Sequence, residues 1–225
     1  GGHFSDYSNS IRYDVTNDSV FGQVFMPSVE PTREGYIFGG WLMPDSTYCT
    51  LEKLNELYLR NKLNKKAGNI VVNAEWIESQ YRLSDSSSKT VKDNQYEVYY
   101  KFNIKELKSL LSRYSLKITG VNVRFKVQET DDGYQEFYLS KNENKGVKDH
   151  THTWSDGDLI ASEFAIETVH GKKGTGYFDR DYGANLSSGD LPTSKELYFY
   201  IGAHGSGADT WTCSELSITF SLERK

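Results

Sequence analysis

Two stretches of this chain alternate apolar and polar residues so regularly that little besides an antiparallel sheet can accommodate them. In YEVYYKFNI the residues Tyr96, Val98, Tyr100, Phe102 and Ile104 fall on one side of an extended backbone. Val121, Val123, Phe125 and Val127 do the same in GVNVRFKVQE. A period of two sends successive side chains to opposite faces, so each stretch has one buried face and one wet face. YQEFYLS, LIASEFAIETV (Leu159–Val169), ELYFYIGA (Glu196–Ala203) and CSELSITFSL (Cys213–Leu222) bring the strands to at least six. The DDG turn (Asp131–Gly133) makes a hairpin of the second and third. Leu107, Leu110 and Leu111 in KELKSLLSRY predict one or two helical turns. Short strands with one brief helix favour an antiparallel, jelly-roll-like β-sandwich over any βαβ arrangement.

That pattern begins only after a polar run, ESQYRLSDSSSKTVKDNQ at 78–95, which is nearly free of aliphatic residues and reads as a linker or exposed first loop. The expected domains are therefore 1–77 and 96–225. In the first, IRYDVT (Ile11–Thr16) reads as a strand, and Pro27, Pro31, Gly35, Gly39 and Gly40 break any helix that might follow. Leu51, Leu54, Leu57 and Tyr58 recur at helical spacing in TLEKLNELYLRNKL, with Thr50 as the N-cap. NIVVNAEWI (Asn69–Ile77) closes the segment as a strand. The order β-β-α-β predicts a small sheet covered by one helix.

PTREGYIFGGW (Pro31–Trp41) followed by NIVVNAEW (Asn69–Trp76) resembles the Listeria–Bacteroides repeat, the internalin-type B repeat. Pro31, Arg33, Gly35, Tyr36, Phe38, Gly40, Trp41, Ala74 and Trp76 match its pattern in order. The sequence departs from it at Val72–Asn73, where members usually carry Leu-Tyr, and in the charged helical insert after Trp41. The resemblance, over residues 10–77, implies a β-grasp-like module of a bacterial surface protein without catalytic residues. Tyr36, Phe38, Trp41 and Trp76 themselves read as core, because a module this small needs aromatic mass.

The long loops of the second domain are where a ligand is expected. KNENKGVKDHTHTWSDGD (Lys141–Asp158) holds Trp154, and HGKKGTGYFDRDYGANLSSGDLPTS (His170–Ser194) holds Tyr177, Phe178 and Tyr182. GAHGSGADTW (Gly202–Trp211) adds His204, Asp209 and Trp211. A sugar needs an apolar face for its C–H side and planar polar groups for its hydroxyls. Trp154, Tyr182 or Trp211 can supply the first; Asp156, Asp179, Asp181, Asn185, His204 and Asp209 can supply the second, and Tyr177 is expected among the ligand-binding residues. Trp211 at a strand start also suits a core anchor. Asp179 and Asp181 alternate as oxygens around a structural calcium do, although no acidic residue closes the loop. His150 and His152, with Asp149 or His170, could in principle approach zinc.

Other classes find less support. The 26 Lys and Arg residues against 31 Asp and Glu leave a net charge of −5, shared by both segments, so the basic footprint of a nucleic-acid binder is missing. No stretch approaches the length of a membrane span, and the Gly1–Gly2 opening reads as a cloning remnant or the start of a mature chain. Cys49 and Cys213 are expected to be free core residues. No nucleophile elbow, zinc-protease helix or phosphate loop occurs, so no enzyme is expected. The expectation is a monomeric, extracellular or cell-wall module that binds a glycan or host glycoprotein, needs no cofactor beyond a structural calcium, and carries the repeat as spacer. A structural stalk is the alternative, and a glycan-acting hydrolase a distant one.

Overall fold

In a computed structural model, the described residues are 2–5, 8–11, 30–63, 70–92, 98–129, 134–140, 167–170, 174–204 and 210–225. The chain divides into two units, Gly1–Ser79 and Gln80–Lys225.

The first unit is built on aromatic contacts. Strand β1 (Tyr36–Leu42) and strand β2 (Asn73–Glu78) pair antiparallel, with Phe38 opposite Trp76. Phe38 meets Trp41 at 5.1 Å and Trp76 at 5.9 Å, both edge to face, and Trp41 stacks on Phe4. The register shifts between Phe38 and Gly40, where the backbone takes a φ of 137° that suits glycine. Helix α1 (Leu51–Leu63) follows as expected, and the Lys53 amide donates to Thr50 Oγ1 at 3.3 Å. Its Leu54 is buried with Met43 and Cys49, against Trp41, Leu57, Ile70 and Val72. Apart from Ile11, the expected strand Ile11–Thr16 lies outside the described residues.

The second unit is an antiparallel sandwich. Its elements are β3 (Gln80–Asp85), β4 (Lys89–Lys92), β5 (Val98–Asn103), α2 (Lys105–Arg113), β6 (Leu116–Glu129), β7 (Tyr134–Ser140), β8 (Glu167–His170), β9 (Gly174–Leu186), β10 (Glu196–His204) and β11 (Thr210–Arg224). One sheet runs β5-β10-β7-β8; the other runs β3-β11-β6-β9, with β4 also on β11. The inner faces are the apolar rows of the alternating stretches: Val121, Val123 and Phe125 on β6, Ile218, Phe220 and Leu222 on β11, and Leu197, Phe199 and Ile201 on β10. Phe125 and Phe199 meet at 5.8 Å between the sheets. Leu107 and Leu111 of α2 are fully buried, and Lys108 Nζ donates to the Pro192 carbonyl at 2.7 Å.

Two expectations about loops are corrected. The run at 78–95 is no linker, because β3 and β4 occupy most of it and pair with β11. An edge strand needs only one apolar row, and Leu83 and Val91 provide it at 8% and 1% exposure. The stretch His170–Ser194 is likewise no long loop, since most of it is β9, held by Phe178 stacking on Phe125 at 4.9 Å. Residues 141–158 lie outside the described residues, as does 159–166 of the expected strand Leu159–Val169.

Both cysteines are free and buried. Tyr100 is buried between the sheets, and its hydroxyl donates to the Cys213 carbonyl at 2.7 Å. Burial pushes the Cys213 thiol up from 9.0 to about 12, and burial also raises Tyr100. A group whose folded pKa is raised stabilises fully below its unfolded value and loses that contribution as pH climbs to the folded one. Stability should therefore fall between pH 9 and about 12. Melting temperatures across that window should drop less steeply for Cys213→Ala; an equal slope would remove the thiol from the account.

Candidate functional site

Burial of Val121, Val123 and Phe125 turns the residues between them outward, and the registers lay these out in rows across the sheet. Tyr177 on β9 pairs with Lys126 on β6, Asp179 with Arg124, and Asp181 with Asn122. On β11, Ser214 follows Lys126, Ser217 follows Arg124 and Thr219 follows Asn122. Ser84 and Arg82 on β3 extend the last two rows.

The side chains of this face hold one another. Tyr177 is 56% exposed. Its hydroxyl donates to Glu215 Oε2 at 3.0 Å, and the Arg124 guanidinium lies 5.0 Å from its ring centroid. Lys126 Nζ reaches Glu215 Oε1 at 3.4 Å, and Arg124 Nε stands 3.6 Å from Asp179 Oδ2. Asn122 Nδ2 donates to Asp179 Oδ1 and to Asp181 Oδ1, both at 2.9 Å. Glu215 reaches this cluster because it sits in a bulge: the register shifts between Ser214 and Ser217, and its φ is 53°. The Tyr177 hydroxyl, then Lys126, hold its carboxyl below the usual carboxylate range, so it is ionised through neutral pH. Further across, the hydroxyls of Thr90 and Thr212 join at 2.9 Å.

Of the residues expected to bind, Tyr177, Asp179 and Asp181 come together here. Tyr182 pairs with inward-facing Val121 and is half buried, and that burial raises its hydroxyl's pKa. Asn185 is exposed near the end of β9. Trp211 is corrected: at 2% exposure, 6.0 Å from Phe125, it is a core side chain and offers no open face to a sugar. Among the described residues its buried indole N–H has no hydrogen-bond partner. His204 ends β10 and His170 ends β8, their side chains outside what is described. Trp154, Asp209, Asp149, His150 and His152 lie outside the described residues. Among the described residues no group of three or more His, Cys, Asp or Glu gathers as a metal site.

Sequence reasoning missed Asn122, Arg124, Lys126 and Glu215. The first three were legible as the polar half of the β6 alternation, once its buried half was assigned. Glu215 was not, because a bulge breaks the period that would have located it.

The fold of the second unit is a jelly-roll-like antiparallel β-sandwich. No family model matches the chain, and no curated protein does. Solved structures similar to it include TmCBM61, a carbohydrate-binding module, in complex with β-1,4-galactotriose, at 10% identity and a TM-score of 0.27 over 68% of this chain and 75% of that one. The coat protein of Tobacco streak virus is similar at 10% identity and a TM-score of 0.27, over 61% of this chain and 87% of that one. VP2 of infectious bursal disease virus is similar at 10% identity and a TM-score of 0.30, over 66% and 35%.

Proposed function

We propose that the second unit binds a glycan on the outward face of its five-stranded sheet, with Tyr177 as the platform. The observation that carries this reading is the restraint on an exposed ring. Tyr177 is fixed at its hydroxyl by Glu215 and lies beside Arg124, so little side-chain freedom remains to be lost when a sugar stacks on it. Around it Asp179, Asp181, Asn122 and Arg124 present acceptors and donors in fixed positions, as hydroxyl recognition requires. By its resemblance to the Listeria–Bacteroides repeat, the first unit is a spacer or interaction module. The whole is then a non-catalytic, extracellular or cell-surface protein.

A glycan array tests this. Hits are expected, and Tyr177→Ala should weaken them by about tenfold or more, ~1.4 kcal/mol, at unchanged melting temperature. A blank array would leave a structural stalk as the function.

A further inference from the structure

Resting on that reading, we infer that the ligand is the interior of a linear, uncharged polysaccharide, lying across the strands and held at several successive positions. Two of the three rows cross four strands, and the row of Tyr177 and Lys126 ends at Ser214 on β11. Asp181, Asn122, Thr219 and Arg82 stand in register on β9, β6, β11 and β3, all at least partly exposed, and Asp179, Arg124 and Ser84 flank them around a buried Ser217. Neighbouring strands are about 4.8 Å apart, close to the length of one pyranose residue, so each strand crossed meets roughly one sugar. Four strands give four such positions, about 14 Å from first to last, enough for four sugars in line. A site for a chain end would need a wall that stops the chain. Here the outward residues at both ends of the track, Asp179 and Asp181 on β9 and Ser84 and Arg82 on β3, are exposed.

The charges define the ligand further. Asp179, Asp181 and Glu215 are matched in these rows by Arg82, Arg124 and Lys126, and the two ends differ in sign only locally. A uronic or sialic acid polymer, or nucleic acid, would need a surplus of cations, and these rows with the Glu215 bulge hold as many carboxylates as cations. A protein partner would need a buried apolar or aromatic centre, whereas Tyr177 is the one aromatic side chain described in these rows. Hydroxyls, amides and paired charges suit a neutral glycan.

Calorimetric titration with neutral β-linked gluco-, galacto-, manno- and xylo-oligosaccharides, from monosaccharide to hexasaccharide, decides the matter. Affinity in the recognised series should rise by about tenfold or more between monosaccharide and tetrasaccharide and then level off. Arg82→Ala, at the far end of the track from Asp181, should lower tetrasaccharide affinity severalfold and leave the disaccharide unchanged. Length-independent binding, or an Arg82→Ala variant that binds the tetrasaccharide normally, would overturn the chain-interior inference while leaving glycan binding intact. Preference for polygalacturonate over every neutral series would overturn its charge. Binding of no oligosaccharide would remove the parent reading and this one with it.

Discussion

Replacing Phe125 by Ala should destabilise the second unit by about 3–5 kcal/mol, the cost of a cavity in a closed aromatic core. Phe125 is 2% exposed and touches three other rings: Phe178 at 4.9 Å, Phe199 at 5.8 Å and Trp211 at 6.0 Å. Phe199 belongs to the opposite sheet, so the same side chain joins two strands of one sheet and the two sheets to each other. Each aromatic pair contributes about 0.5–1.5 kcal/mol beyond its buried area, which places the loss toward the upper end. For a unit of this size the melting temperature should fall by roughly 10 °C or more. Phe125→Leu keeps most of the volume and should recover more than half of the loss. A decrease below about 1 kcal/mol, measured by chemical denaturation, would show that the sheets are joined elsewhere.

The second large effect lies in the first unit. Phe38→Ala removes the ring that Trp41 and Trp76 both contact, and about 3–5 kcal/mol again follows. The consequence differs because Gly1–Ser79 is small, and a core of that size rarely supplies more than about 3–5 kcal/mol in total. The variant's first unit should therefore be largely unfolded at room temperature, while the second melts as in the parent protein. Hydrogen exchange would read this directly, with amides of β1 and β2 exchanging freely and those of β6 and β11 still protected. Protection kept in β1 and β2 would mean that another contact holds this unit.

The contrast between what the sequence made legible and what it hid has a physical basis. The two alternating stretches that define β5 and β6 are visible because every second residue is large and apolar. β3, β4 and β9 lie at sheet edges or on short pairings, where one or two buried residues suffice. Leu83, Val91 and Phe178 are enough to hold them, and the Ser, Asp and Gly residues between imitate a loop. The candidate site suffered the same bias. Tyr177, Asp179 and Asp181 drew notice as residues of a polar loop, yet what groups them is strand parity. Their partners Arg124 and Asn122 were hidden in the middle of a strand whose function seemed exhausted by its core. Trp211 was read both ways, and its burial decides for packing.

β11 has a further consequence, for the order in which the second unit can form. It pairs with β3, β4 and β6, so the five-stranded sheet is assembled around it. Thr90 and Thr212, neighbours in the sheet, are 122 positions apart. Closing such a distance costs chain entropy before any contact is gained, and proteins dominated by pairings of this kind fold slowly. During synthesis β3 and β4 emerge early and must wait, unpaired, until β11 has left the ribosome. Their Lys89, Lys92, Arg82 and Asp85 are suited to that interval, because charged side chains on a waiting strand discourage it from pairing with another chain.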